Sequence, residues 1–416
     1  MLLLYRILIN LTLLVSPIII IFRILKKKEN PKRFLEKFGF FNKKKKPGKL
    51  IWFHGSSVGE ILSVMPLIEN LERKKNIKQI LLTSNTLSSS KVFNNFKLKK
   101  TNHQFFPIDS NFITKKFLNY WQPSLAVFIE SEIWPNMINN LKNKNTNVVL
   151  LNARITKKSY MRWKKISFFS RSIFEKFNIC LPQNDETKHY LKKLGAKKIK
   201  KLGNLKFSET TLKTLDKINK STKNFLNKKK ILFGAISTHS SEETFCAKIH
   251  SKLKKKYPNG ITIIIPRHIH RTATIKEEIE NSGLKVHLHN SNVKKIDINT
   301  DIYLVNVFGE TKSFLKICKI VFLGGSLIQH GGQNPLEAAR LGCKVIHGPN
   351  ISNFMEVYNL LKKNNISSQI NNLNNAKAII NKNLNNKYNY KKITKRLNSI
   401  GNEVLIKNKK EISKYI

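Results

Sequence analysis

The chain has 416 residues and carries 77 Lys and Arg against 25 Asp and Glu, a formal net charge of +52. This length exceeds what one hydrophobic core usually supports, so we expect two domains. A hydrophobic fraction of 41% and an aromatic fraction of 9% exclude a largely disordered chain. The charge favours polyanionic partners, namely nucleic acid, anionic lipid headgroups or phosphorylated substrates, although Lys and Asn are so abundant throughout that compositional bias explains part of the excess.

The four cysteines have no regular spacing: Cys180, Cys246, Cys318 and Cys343. They form no CxxC pair, which argues against a disulfide framework and against a zinc site. A reducing compartment fits this pattern best.

The N-terminus is apolar over residues 1–25, interrupted by Arg6 and followed by Lys26, Lys27 and Lys28. This length and flank predict an uncleaved membrane-anchor helix whose basic end stays cytoplasmic. The alternative is an amphipathic or buried N-terminal helix. Residues 26–48 are predicted to form a basic juxtamembrane linker that can also lie on anionic lipid.

Short apolar runs alternate with helix-like stretches along the rest of the chain, which predicts an α/β fold of buried parallel strands. The predicted strands are 50–55, 79–85, 125–130, 147–153 and 178–183, then 230–237, 260–267, 301–309, 319–326 and 343–349. They predict two Rossmann-like domains, 49–207 and 230–416, joined by a hinge at 208–229. The Asn-rich stretch 371–389 is predicted to be loops and poorly packed helix.

Polar residues follow several of the predicted strands, where ligands bind in open α/β sheets. HGSSVGE places Glu60 in the first turn of a helix, either as a general base or as a complement to the helix dipole. ESEIWPN, from Glu130 to Asn136, offers two acids that either line a cleft or cap a helix. GNLKF brings Lys206 to the end of the first predicted domain.

The second half of the chain carries cationic and glycine-rich motifs. Arg267 and His268 follow Pro266 and could hold a phosphate. The segment FLGGSLIQHGGQNPLE, 322–337, has two glycine turns whose N–H groups can approach an anion, and Glu337 is placed to bind ribose hydroxyls. It is not a P-loop pattern. VNVFGE, 305–310, adds Glu310, and the spacing of the histidines predicts no metal site.

Taken in order, these motifs resemble the Kdo transferases of lipopolysaccharide synthesis, which pass 3-deoxy-D-manno-octulosonate from CMP-Kdo to lipid A precursor. HGSSVGE, ESEIWPN, NAR (152–154), GNLKF and GGSLIQHGGQNPLE each match a family motif, over about residues 30–360. Gln333 departs from the histidine usual there. The resemblance implies a GT-B fold, two Rossmann-like domains facing across a cleft, with the acceptor held by the first domain and CMP by the second.

The resemblance also implies residue roles. Glu60 would be the general base of an inverting transfer, with Glu130 and Lys206 stabilising the transition state. Donor-binding positions would be Pro266, Arg267, His268, Phe308, Gly309, Glu310, Gly325, Ser326, Asn334, Pro335, Leu336 and Glu337. No cofactor and no metal are implied.

The implied partners are CMP-Kdo, lipid A precursor and anionic inner-membrane lipid, with the catalytic domains at the cytoplasmic face. Three alternatives remain at this point: a GT-B enzyme that uses a UDP-sugar, a nucleic-acid-binding protein, and a membrane-bound scaffold without catalysis. The nucleic-acid alternative rests on charge alone, since no RNA- or DNA-binding motif is present.

Overall fold

The computed structural model describes residues 1–208, 218–290, 296–386 and 390–416. The chain divides into two compact units, which are described separately: unit 1 is Met1–Thr210 with Ser399–Ile416, and unit 2 is Thr211–Asn398. All of 230–416 was predicted to lie in the second domain, but the C-terminal segment Ser399–Ile416 belongs to unit 1 instead. Ile412 is fully buried in the core of unit 1, which explains why this segment joins it.

Unit 1 contains a six-stranded parallel sheet in the order β3-β2-β1-β4-β5-β6. Its strands are β1 (Leu50–His54), β2 (Gln79–Ser84), β3 (Thr101–Phe105), β4 (Leu125–Ile129), β5 (Asn147–Ala153) and β6 (Ile179–Pro182). Its helices are α1 (Leu2–Leu25), α2 (Val58–Glu72), α3 (Leu87–Phe93), α4 (Asn111–Trp121), α5 (Pro135–Asn143), α6 (Lys157–Lys165), α7 (Ser167–Phe174) and α8 (Asp185–Lys193).

Unit 2 contains a seven-stranded parallel sheet in the order β13-β12-β11-β7-β8-β10-β9. Its strands are β7 (Lys230–Thr238), β8 (Gly260–Pro266), β9 (Val286–Leu288), β10 (Ile302–Leu304), β11 (Ile320–Leu323), β12 (Lys344–His347) and β13 (Ser367–Gln369). Its helices are α9 (Lys220–Lys228), α10 (Glu242–Lys254), α11 (Thr272–Glu280), α12 (Thr311–Leu315), α13 (Leu336–Arg340), α14 (Met355–Lys363) and α15 (Leu373–Asn385), and α16 (Tyr390–Ile412) leads from unit 2 into unit 1.

Both sheets confirm the predicted parallel α/β architecture. β1, β2, β4, β8 and β11 are buried along their whole length, as expected for strands covered by helices on both faces. The layers therefore bring the carboxyl ends of neighbouring strands to one edge of each sheet, and the loops that follow them carry the candidate site residues.

The segment predicted to be a linker, 26–48, is packed against unit 1. It contains a 3-10 helix, Phe34–Phe38, and two buried carboxylates. Glu36 accepts hydrogen bonds from Arg33 and from the Phe105 N–H, at 2.7 Å each. Such paired, buried groups fix the segment on the sheet, so only part of it can behave as a linker.

Residues 209–217 of the predicted hinge lie outside the described residues, and α9 follows within the same predicted segment. One further prediction differs from the structure. The Asn-rich stretch forms α15, whose Ala376 and Ile380 are fully buried in the core of unit 2. Its Asn residues lie between apolar residues at helical spacing, so composition concealed an amphipathic helix.

Candidate active site

Glu60 lies in the first turn of α2, immediately beyond the carboxyl end of β1. Its carboxylate accepts the Ser56 N–H (2.7 Å) and the Ser57 hydroxyl (2.7 Å), while Ser57 Oγ caps the Glu60 N–H. Ser57 thus caps the helix while the Glu60 side chain folds back over the preceding residues, which fixes both the helix start and the carboxylate. Residue 55 packs closely on this helix start, because a Cβ there would lie 3.1 Å from Glu60 Cβ.

The environment of Glu60 raises its pKa from 4.5 to about 7. Burial is the main cause, since only 9% of the residue is exposed. The carboxylates of Glu132 and Glu130 raise the pKa further, whereas the hydrogen bonds from Ser57 and Ser56 lower it. A carboxylate with a pKa near the working pH is suited to accept a proton.

Glu130 and Lys206 form an ion pair, with Nζ 2.5 Å from Oε1. Glu130 follows β4 with a φ of 56°, a left-handed conformation that side-chain-bearing residues adopt at a cost of about 1 kcal/mol or more. Both side chains are largely shielded from solvent, at 7% and 15% exposure. Because β4 lies beside β1, the sheet brings the three predicted catalytic residues to one edge.

Two buried asparagines position the Lys206 loop. Asn152 Oδ1 accepts the Leu205 N–H at 3.0 Å, and Asn204 Oδ1 accepts the Lys206 N–H at 2.9 Å. The NAR motif at the end of β5 therefore has a structural consequence: it holds the GNLKF loop in place.

A third carboxylate, the second acid of ESEIWPN, completes this edge. Glu132 Oε2 lies 3.0 Å from His54 Nε2 and accepts the Trp134 indole N–H at 2.9 Å. On its other side His54 Nδ1 lies 3.0 Å from Thr83 Oγ1. The motifs HGSSVGE and ESEIWPN contain both partners, but only the parallel pairing of β1 with β4 shows that they meet.

In unit 2 the first glycine turn is occupied by a carboxylate of the same chain. Glu242, fully buried at the start of α10, accepts the N–H groups of Gly325 (2.7 Å), Ser326 (3.0 Å) and Leu327 (3.0 Å). It also accepts the His239 N–H at 2.9 Å. This corrects the expectation that the Gly325 and Ser326 amides remain available to a donor phosphate.

Cationic and imidazole groups lie beyond the carboxyl ends of β7 and β8. Arg267 and His268 are exposed, and the Arg267 N–H donates to Thr238 O at 2.9 Å. The His239 ring centroid lies 5.8 Å from that of His268 and 4.5 Å from that of His330. Sequence reasoning found Arg267 and His268 but missed His239 and His330, which reach the same place from other loops.

Two acids that follow β10 and β11 each form an ion pair through one carboxylate oxygen. Glu310 Oε2 lies 3.0 Å from His289 Nε2, and Glu337 Oε1 lies 3.3 Å from Lys312 Nζ. Because Lys312 is two residues beyond Glu310, these acids belong to one rim. Gly309, with a φ of 86°, forms the turn that presents the exposed side chain of Phe308.

The remaining predicted donor positions shape the start of α13. Asn334 Oδ1 accepts the Leu336 N–H at 3.1 Å, and Pro335 precedes the helix. Leu336 is buried, so its side chain packs inside the unit, as does that of Pro266 at the end of β8. Across the described ranges, no three His, Cys, Asp or Glu side chains group in a way that could hold a metal ion.

Comparison with known proteins identifies the family. Residues 32–209 match the family model described as 3-Deoxy-D-manno-octulosonic-acid transferase (kdotransferase). The 3-deoxy-D-manno-octulosonic acid transferase of Rickettsia bellii is 36% identical over 336 residues, covering 80% of this chain and 79% of that protein. The one from Haemophilus influenzae is 28% identical, covering 98% and 96%.

Solved structures support the fold. A putative UDP-N-acetylglucosamine 2-epimerase from Listeria monocytogenes superposes with a TM-score of 0.59 at 12% identity, covering 88% of this chain and 97% of that one. A glycosyltransferase from Rickettsia africae gives 0.56 at 13% identity, covering 89% and 99%. These neighbours confirm the predicted GT-B-like pair of Rossmann-like units. On the extent and identity of the sequence matches, the chain belongs to the Kdo transferase family and is a glycosyltransferase.

Proposed function

We propose that this protein transfers Kdo from CMP-Kdo to a lipid A precursor, lipid IVA, with inversion, at the cytoplasmic face of the inner membrane. The observation that carries the proposal is Glu60: a buried carboxylate, fixed by two hydrogen bonds, with a pKa of about 7. Membership of the Kdo transferase family supports Kdo as the sugar that is transferred, and the chemistry of the site around Glu60 supports the mechanism.

In the proposed reaction the Glu60 carboxylate takes the proton of an acceptor hydroxyl. The hydroxyl oxygen forms a bond to the anomeric carbon as the bond from that carbon to the CMP oxygen breaks, and CMP leaves with the electron pair. A single displacement inverts the anomeric configuration. With a pKa of about 7, the Glu60 carboxylate is partly ionised near neutral pH and can accept this proton.

Glu130 and Lys206 would stabilise the charge that develops during transfer. The transition state of glycosyl transfer is oxocarbenium-like. A carboxylate favours the positive charge on the ring, and an ammonium group favours the negative charge of anionic substrate groups. Because the pair is held at 2.5 Å and is mostly shielded, both charges are in place before the reaction, which is what electrostatic catalysis requires.

Unit 2 would bind the nucleotide. Because Glu242 already accepts the N–H groups of the first glycine turn, the donor phosphate would bind to the exposed Arg267 and His268. The rim acids Glu310 and Glu337 would accept hydrogen bonds from the ribose hydroxyls, and the exposed ring of Phe308 would stack on the base.

The test is a transfer assay with purified full-length protein and tetraacyl lipid A precursor, with products identified by mass. CMP-Kdo and UDP-sugars are offered in parallel. The proposal expects Kdo addition from CMP-Kdo and no product from UDP-sugars. If product formed from a UDP-sugar and not from CMP-Kdo, the proposed donor would be wrong, although the fold assignment would still hold.

A further inference from the structure

One side of the N-terminal helix α1, which is part of unit 1, is covered along the length of the helix. Partly or fully buried positions recur at 2, 5, 6, 9, 13, 16, 20, 23 and 24. At about 100° per residue these positions form one stripe of the helix. Ser16 and Ile20 are each only 6% exposed, which shows that the middle of α1 is covered as well as its ends.

Polar contacts fix the N-terminal end of α1. The Tyr5 hydroxyl donates to Asp109 Oδ2 at 2.8 Å, and the Arg6 guanidinium donates to Asn136 Oδ1 at 3.0 Å and Asn111 Oδ1 at 3.2 Å. Asp109 is almost completely buried and also accepts the Asn136 and Met137 N–H groups. A short carboxylate bond of this kind is among the stronger hydrogen bonds in proteins.

The C-terminal end of α1 contacts the same unit. Arg23 and Lys37 both pair with the buried carboxylate of Glu29, at 3.3 and 2.5 Å. Arg23, with Lys27 and Lys28, also lines a recess shared with the residues that open α3, 86–88. Both ends of α1 therefore contact loops that follow β2, β3 and β4, the edge of the sheet that carries Glu60.

These contacts are incompatible with a bilayer crossing. A helix of 24 residues is about 36 Å long, enough to span a hydrocarbon core of about 30 Å. If it crossed, its first turns would lie on the far side of the membrane from unit 1. Tyr5 and Arg6 could then not reach Asp109, Asn111 and Asn136, so all three of these hydrogen bonds would be lost.

The opposite face of α1 is apolar and exposed. It comprises Leu3, Leu4, Ile7, Leu8, Leu11, Leu14, Val15, Ile18, Ile19, Ile21, Phe22 and Leu25, each at least 45% exposed. A continuous apolar face of this size is a membrane or protein interaction surface. Basic residues follow it at 26–28 and occupy α6 at Lys157, Lys158, Arg162, Lys164 and Lys165.

Exposed aromatic side chains accompany the docked end of the helix. Phe112, 75% exposed, follows Asn111, the partner of Arg6, and Phe168, 85% exposed, precedes Phe169, whose ring lies 6.3 Å from that of Tyr5. Apolar and aromatic side chains flanked by Lys and Arg are the composition of surfaces that insert into an anionic bilayer interface.

We infer that α1 does not span the membrane but lies in its plane, docked on unit 1, with its exposed face inserted into one leaflet of an anionic bilayer. This inference rests on the proposed function only in naming the membrane that holds the lipid acceptor. In this arrangement the edge of the unit 1 sheet that carries Glu60 lies at the leaflet that holds the acceptor.

A depth measurement tests the inference on the full-length protein bound to vesicles of phosphatidylglycerol and phosphatidylethanolamine. Single cysteines replace Leu4, Leu11, Ile18 and Leu25, which share one line of the exposed face, and each carries a nitroxide label. The four native cysteines are buried and so contribute little labelling. Leu13→Cys and Ile20→Cys, on the covered stripe, are the matched controls.

The in-plane arrangement predicts similar, shallow depths at all four positions, about 5–10 Å below the headgroups, and no lipid contact at the two controls. A depth that peaks at positions 11 and 18 and falls at 4 and 25 would show a spanning helix and overturn the inference. Lipid contact at the controls would show that α1 leaves unit 1, which would overturn it equally. Neither readout depends on sugar transfer, so failure here is distinguishable from failure of the proposed function.

Discussion

At the scale of single residues, the environment of Glu60 favours its protonated form, whereas a general base must be ionised. Burial and the neighbouring carboxylates raise its pKa to about 7, which makes the ionised form that the proposed general base needs unfavourable in the folded protein. A group whose pKa is raised on folding lowers stability as pH rises from its unfolded pKa to its folded pKa. The window for Glu60 runs from about 4.5 to about 7.

Glu60→Gln is therefore expected to be more thermostable than the wild type at pH 8, with the difference shrinking toward pH 5. The amide cannot ionise, so it lacks the cost that the carboxylate meets above pH 7. Thermal unfolding of the two proteins across this range measures the difference. A difference in unfolding temperature that does not change with pH would show that Glu60 titrates normally.

Glu132 is expected to control the basicity of Glu60. Its charge raises the Glu60 pKa, so Glu132→Gln should move the acidic inflection of kcat/KM to lower pH. Trp134→Phe removes the hydrogen bond to Glu132 but keeps the charge, so it is the control and should leave the inflection nearly in place. Equal shifts in both variants would assign the effect to positioning instead of charge.

Glu242 is expected to hold the glycine turn that the donor site needs. Three N–H groups from 325–327 donate to its carboxylate, and each bond to a charged group contributes about 1.5–3 kcal/mol. Glu242→Gln should lower the unfolding temperature and raise the KM for donor. Glu278→Gln changes the same charge at an exposed position of α11 and should do neither; donor KM unchanged in Glu242→Gln would contradict this role.

The residues of the first sheet edge could be predicted because each follows a recognisable buried strand. Glu60 and Glu130 follow such strands, and Lys206 lies in the GNLKF loop at the end of the first predicted domain. Glu242 could not be found in this way. An acid at the start of a helix has an ordinary explanation, and nothing in the local sequence shows that its carboxylate binds amides 83 residues away.

At the scale of elements, the C-terminal half of α16 positions the Lys206 loop from a distance. A Cβ at Gly401 would lie 2.1 Å from Phe207 O, and a Cβ at Gly203 would lie 2.8 Å from Val404. These close contacts pack α16 directly on the GNLKF loop. The helix end therefore belongs to the support of the active site, although it is nearly 200 residues away in sequence.

Gly401→Ala is expected to displace this loop and lower kcat by at least about tenfold, because misplacing a catalytic group by 1 Å is enough for such a loss. Gly59→Ala, where nothing lies within 4 Å of the added Cβ, is the control for stability and should fold normally. A Gly401→Ala enzyme with wild-type kcat would show that the loop does not depend on α16.

Three strands escaped prediction, for two different physical reasons. β3 reads TNHQF, without an apolar run, and its His103 is buried through specific partners: Nε2 lies 2.8 Å from Ser84 Oγ and Nδ1 lies 3.0 Å from Arg33. β9 and β13 have three residues each, too few to show a period. The ten long apolar runs were found because parallel strands buried on both faces need them.

At the scale of the whole molecule, the positive charge is expected to act on the acceptor rather than on the chemistry. Lys43, Lys44 and Lys46 are exposed and follow the packed segment that holds α1 on unit 1. Replacing all three with Gln should lower activity on acceptor embedded in anionic vesicles while sparing detergent-dispersed acceptor, because each surface cation contributes about 1 kcal/mol to binding an anionic membrane. Equal losses in the two assays would remove this explanation.

The same reasoning separates compositional bias from function. Most of the net charge of +52 is spread over exposed Lys, so sequence alone could not say which residues matter. The structure distinguishes those that pair internally, such as Lys37 with Glu29, from those that remain exposed near α1.

The proposed role of Glu60 as general base can be measured through the pH dependence of kcat/KM for Kdo transfer from CMP-Kdo. Wild-type activity is expected to rise with pH to a plateau with an inflection near 7. Glu60→Gln should lose about 10²–10⁴-fold in rate and lack this inflection. Wild-type rates in Glu60→Gln, or the same inflection in its residual activity, would show that Glu60 is not the base.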